Sequence, residues 1–188
     1  MMLGREIRDH KLKILVMLSF YDEYDIDEIL DKYFLSLPFE DEDYLNEYTG
    51  DLSNKYYDVY KKNGVIKYIS LLSDNKKSKE KSLYEMKEKL KIFLNNFYDK
   101  EYLILEILSK YVKGWRIKQI PKCEKYILML AIYEMYYDDS IKDISIAINE
   151  AVLLAKVYGM DDKADKFING ILGTVYRNDE NINSFRIK

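Results

Sequence analysis

The sequence predicts an all-α protein with no sheet, and three observations carry that prediction. Apolar residues recur at spacings of three and four in six separate segments. Residues 127–133 (ILMLAIY) are apolar all round, the mark of a helix buried among other helices. Capping residues stand where periodic segments begin or end, among them Asp25, Asp143 and Gly159. The pattern gives about seven principal helices, with one or two more inside residues 39–81.

Taken in order, residues 5–22 (REIRDHKLKILVMLSFYD) read as an amphipathic helix with Ile7, Ile14, Leu15, Leu18 and Tyr21 inward. Arg5, Arg8, Lys11 and Lys13 make its opening turns basic, tempered by Glu6 and Asp9. His10, the only histidine, is expected to be exposed. Alone it makes neither a metal site nor a nucleophile–histidine dyad. Residues 25–37 form a second helix with Ile26, Ile29, Leu30, Tyr33 and Phe34 inward, capped by Asp25 and followed by Pro38. Residues 39–81 hold an acidic run, FEDEDYLNEYTGD, then a short helical set at Val65, Ile66, Ile69 and Leu72. A basic polar run, SDNKKSKEK, closes the stretch, and Thr49-Gly50-Asp51 and Asn63-Gly64 are turn signals within it.

Residues 82–98 are helical, with Leu83, Met86, Leu90, Phe93, Leu94 and Phe97 inward and a capping box at Ser82 and Glu85. Residues 100–113 form another helix with Leu103, Ile104, Ile107, Leu108 and Tyr111 inward. Trp115, after Gly114, is expected to anchor a core. Pro121 suits the opening turn of the apolar central helix. The next helix carries the stripe Ile144, Ala147, Ile148, Ala151, Val152 and Ala155, with Gly159 at its end. The last carries Ala164, Phe167, Ile168, Ile171, Leu172 and Val175, with Asp161 or Asp162 as its cap. Gly170 and Gly173 lie inside it at a cost of roughly 1 kcal/mol each against alanine, so they are expected to mark close backbone approach. The tail NDENINSFRIK is expected to fray.

Composition narrows the function. A chain of 188 residues, 48% hydrophobic and 34% charged, suits one globular domain or two small subdomains. A net charge of −3 rules out a polycation, so any nucleic-acid site must be a local basic patch. No apolar run approaches the roughly 18 residues of a membrane span, and MMLGREIRDHK lacks the apolar region of a signal peptide. Cys123 is the only cysteine, which excludes an internal disulfide and fits a reducing cytoplasm. There is no GxGxxG, GxxxxGK[ST], CxxC or HExxH, so no cofactor or metal is expected. Glu134 and Glu150 border strongly apolar helices. They are read as buried carboxylates satisfied by hydrogen bonds or an ion pair, and Asn149 as a packing residue, not as catalytic groups.

The run WRIKQIPKCEKYILMLAIYEM…ISIAINEAVLLAKVYG…DKFINGIL resembles the C-terminal half of the NusB family of transcription antitermination factors. The matching elements are Trp115, the Tyr133–Glu134 pair, AINEAV at 147–152, Ala155–Lys156, and FING at 167–170. The resemblance implies a NusB-like helical bundle in two subdomains, residues 1–98 and 99–177, with residues 178–188 a flexible tail. Residues 39–81 would be an insertion between helices 2 and 3.

The resemblance also implies a function without catalysis. The factor would bind boxA-type single-stranded RNA of ribosomal RNA leader transcripts together with the small-subunit ribosomal protein NusE. It would do so within the RNA polymerase antitermination complex. The family places an arginine-rich RNA-binding segment ahead of an ALY-like helix end. Aligning that end with Ser19-Phe20-Tyr21 sets His10, Lys11 and Lys13 on basic positions beside Arg5 and Arg8. The arginine cluster is thinned, and lysine lacks arginine's bidentate fork, so weaker binding or greater dependence on the partner follows. Lys163, Lys166 and Phe167 are the second set of candidates, with Phe167 equally readable as core. Two alternatives stay open. One is a helical protein–protein module with little RNA binding. The other is a NusB-like domain detached from a ribosomal RNA cytosine methyltransferase, although the chain ends at Lys188 without the catalytic domain that reading needs. A homodimer is also open to such a fold.

Overall fold

The computed structural model describes residues 4–36, 76–112, 114, 116–180 and 182. Most of the stretch read as an insertion, and Trp115, lie outside the described residues. Within them every regular element is helical, with no strand. The elements are α1 (Gly4–Leu18), α2 (Ile26–Ser36), α3 (Lys76–Tyr111), a 3-10 turn (Ile117–Gln119), α4 (Lys122–Tyr137), α5 (Ile144–Tyr158) and α6 (Ala164–Asn178).

Among the described residues there are six α-helices, and the segments read as 82–98 and 100–113 are one helix. No glycine or proline stands between Gly64 and Gly114. The buried register Met86, Leu90, Phe93, Leu94, Phe97, Ile104, Leu108, Tyr111 passes through Asp99–Lys100 without a phase break. Ser82 therefore lies inside α3, not at the helix start that the capping box predicts. Leu103, expected inward, is exposed, since it stands one position off that stripe. At the far end Gly114 takes φ 80°, a conformation open to glycine and strained for other residues.

The chain divides into two compact units, Met1–Asn95 and Asn96–Lys188. In the first, α1 packs on α2. Asp25 caps α2 by accepting from the Glu28 amide at 2.9 Å, as its position predicts. Ile29, Leu30 and Tyr33 are buried. Lys87 and Lys91 of α3 pair with Asp31 and Asp27 of α2 at the surface. On α1 the five successive residues Arg8 to Leu12 are all buried. At about 3.6 residues per turn, that run covers the whole circumference, not one stripe.

In the second unit α4 packs against both α5 and α6, which also pack on each other. Every residue from Tyr126 to Tyr136 is buried, as the apolar sequence predicts. The α5 stripe Ala147, Ala151, Ala155 is buried, and its small side chains suit close helix packing. Asp143 caps α5 by accepting from the Ser145 amide at 2.8 Å. Glu134 and Glu150 are buried, as expected. The segment read as a fraying tail begins inside the fold. Asp179 accepts a hydrogen bond from the Tyr111 hydroxyl at 3.1 Å, and Ile182 is fully buried. Burial, with the negative charge of Asp179 nearby, pushes the Tyr136 phenol up.

Candidate nucleic-acid interface

The α5–α6 turn is shaped by hydrogen bonds from four of its amides. The Gly159 amide donates to the Ala155 carbonyl at 2.9 Å, closing α5. The Met160 amide donates to Glu124 Oε1 at 2.7 Å. The Lys163 amide donates to Asp161 Oδ1 at 2.7 Å, while the Ala164 amide reaches the Asp161 carbonyl. The N-cap of α6 is Lys163, with no side-chain cap hydrogen bond, so neither Asp161 nor Asp162 caps the helix as expected; Asp161 instead closes a tight turn just ahead of it. Gly159 has an ordinary φ of −65°. It is required by space: a Cβ there would lie 2.3 Å from Ala164 Cβ and 2.4 Å from the Ala155 carbonyl oxygen.

The close approach expected at Gly170 and Gly173 is found at Gly159 instead. A Cβ at Gly170 meets nothing within 4 Å, and one at Gly173 meets only the flexible Arg177 guanidinium. Neither glycine is demanded by a neighbouring helix.

The turn presents Lys163 and Lys166, both exposed, with Phe167 half-buried beside them. Neither ammonium group has an ion-pair partner among the described residues. Asp161, Asp162 and Asp165 lie close in sequence, so the patch is basic only at those two side chains.

The candidates on α1 stand differently. Arg5 lies in its first turn. Arg8 and Lys11 are only 7% and 8% exposed. The Lys11 ammonium sits 4.7 Å from the centre of the Phe93 ring, a cation–π contact. Lys13 pairs with Asp9 at 2.7 Å. His10, expected to be exposed, is fully buried, and its Nδ1 shares a hydrogen bond with the Tyr33 hydroxyl. The two rings meet edge to face, with centroids 5.6 Å apart. Burial lowers the imidazole pKa to about 4, against the raising effect of Asp9, so His10 is neutral at pH 7. The correction has a simple cause: the α1 sequence shows charge where the helix is enclosed on all sides.

Glu124 is the residue that sequence reasoning missed. It stands in the first turn of α4, where an acidic residue suits the helix dipole and signals nothing further. Its partner lies 36 residues away. Cys123 beside it is half-buried, and burial holds its thiol pKa up, so it is no reactive thiolate. Among the described residues no group of three or more His, Cys, Asp or Glu could hold a metal ion. Nor is any helix long and apolar enough to cross a membrane.

The described residues define an all-helical protein that sets two exposed lysines on an ordered turn. Residues 54–177 match the model of the NusB family. The transcription antitermination protein NusB of Caldicellulosiruptor saccharolyticus is 39% identical over 92 residues, covering 49% of this chain and 69% of that protein. That of Carboxydothermus hydrogenoformans is 48% identical over 77 residues, covering 41% and 52%. That of Acetivibrio thermocellus is 36% identical over 125 residues, covering 60% and 83%. A solved structure of T. maritima NusB superposes with a TM-score of 0.59 at 22% identity, covering 95% of this chain and 94% of that one, which supports the fold. The chain belongs to the NusB family, a non-enzymatic family of transcription antitermination proteins. The family match begins at residue 54, so the later part of the stretch read as an insertion lies inside it. Helices α1 and α2 precede it.

Proposed function

We propose that this protein acts in the cytoplasm as an antitermination factor that binds single-stranded, boxA-type RNA of ribosomal RNA leader transcripts. It does so together with the ribosomal protein NusE, within the antitermination complex on RNA polymerase. Family membership supports the reading, and the observation that carries it is the exposed pair Lys163 and Lys166 on an ordered turn, without ion-pair partners among the described residues. The two ammonium groups neutralise phosphate, and the half-buried Phe167 beside them offers part of its ring to a base. On α1, Arg5, Arg8, Lys11 and Lys13 supply a second positive segment. Because Lys11 and Lys13 already have protein partners, RNA must exchange those contacts, and the gain per lysine is smaller. His10, neutral and buried, holds α1 against α2 and adds no charge to that segment.

The test is fluorescence anisotropy of a labelled boxA RNA, beside a scrambled one, with and without NusE and across a salt series. Selective binding that tightens with NusE is expected. Lys163→Ala/Lys166→Ala should lower the slope of log K against log salt by about 1.4, roughly 0.7 per phosphate contact on a single strand. Lys11→Ala/Lys13→Ala should lower it less. Absence of selectivity, with NusE still bound, would sink the RNA role. It would favour a helical protein–protein module, a reading that the engaged α1 charges already support.

A further inference from the structure

We infer that Glu124 is a positioning residue for the RNA-contacting turn: from the start of α4 it sets where Lys163 and Lys166 stand. The inference rests on the RNA-binding reading above and adds a residue that never touches RNA. Glu124 is 3% exposed. One carboxylate oxygen accepts from the Met160 amide at 2.7 Å. The other, Oε2, is buried with no hydrogen-bond partner among the described residues.

A buried carboxylate satisfied on one oxygen only is destabilising by itself. The nearby N-terminus of α4 offsets part of that cost by favouring negative charge. What the arrangement provides is a fixed acceptor for the turn. Of the four hydrogen bonds that shape the turn, the one to Ala155 and the two to Asp161 are local in sequence. The bond to Glu124 ties the turn to a different helix. No apolar burial does that job at this point, because the Met160 side chain is 74% exposed. The residue is held by its backbone, and Lys163 follows three residues later.

The two roles of the side chain separate cleanly by substitution. Glu124→Asp keeps the charge and withdraws the acceptor by one methylene. Glu124→Gln removes the charge and keeps an acceptor oxygen within reach of the Met160 amide. Circular dichroism first establishes that both variants keep wild-type helicity. Amide hydrogen exchange at Met160 and boxA anisotropy are then measured. The expected result is faster Met160 exchange and about tenfold weaker boxA binding in Glu124→Asp, with both restored in Glu124→Gln. Glu124→Asp added to Lys163→Ala/Lys166→Ala should cost nothing further, since it acts through the same lysines. A general loss of stability would instead weaken binding in either background.

Wild-type affinity in Glu124→Asp overturns the proposal, as does equal weakening in both variants or an additive loss in the combined variant. If the wild-type protein itself shows no selective RNA binding, the functional reading fails on its own. Met160 exchange then decides the role of Glu124: unchanged protection in Glu124→Asp overturns it, and faster exchange sustains it as the anchor of the turn.

Discussion

His10 illustrates how burial decides the chemistry of a single side chain. Its ring lies inside the first unit against Tyr33, and desolvation lowers its pKa from 6.5 to about 4. The unfolded chain therefore takes up a proton first as pH falls. The stability that His10 contributes is complete above pH 6.5, declines as pH falls below that, and is fully lost by about pH 4. A shift of that size corresponds to about 3 kcal/mol, of which about 2 kcal/mol is gone by pH 5. Urea melts at pH 7 and pH 5 should show that loss in the wild type. His10→Gln should flatten the change by a similar amount, whatever its effect on absolute stability. An unchanged slope in the variant would place the titrating group elsewhere. The position was legible in sequence, but the environment was not. A histidine among basic residues near a chain start looks like surface, and only packing on several sides enclosed it.

At the scale of elements, the same residue type carries opposite consequences at two places. Gly159 closes α5 where a Cβ would collide with Ala164 and the Ala155 carbonyl. Gly159→Ala should destabilise by about 2 kcal/mol, because backbone must move to admit it. Gly170 sits on the open face of α6 with nothing near its Cβ position. Gly170→Ala should stabilise by about 1 kcal/mol through helix propensity and a less flexible unfolded chain. Thermal melts of the two variants check both signs, and a shared sign would contradict the geometry. Caps were readable because they act over three or four residues: Asp25 and Asp143 each bond the amide their spacing predicts. The break expected near Asp99 was not real, because two charged residues do not stop a helix whose apolar register continues across them. The lysine pair ahead of FING was visible in sequence. Glu124 was not, since a hydrogen bond across 36 residues leaves no periodic trace.

For the whole molecule, 30 basic and 33 acidic residues leave a net charge of −3. General attraction to RNA is therefore weak, and affinity must come from local contacts. Scrambled RNA should lose measurable binding at moderate salt while boxA with NusE keeps it. Equal retention of both would show that charge alone governs the association. The sequence by itself determined the helical class, the buried central helix, the caps and the membership of the family, because periodicity, local hydrogen bonding and motif spacing are all written over short stretches of chain. Only the tertiary structure decided which charges are free. Burial depends on what several distant segments place around a side chain. So Arg8, His10 and Lys11 pass from an expected surface into the interior, while Lys163 and Lys166 stay in water.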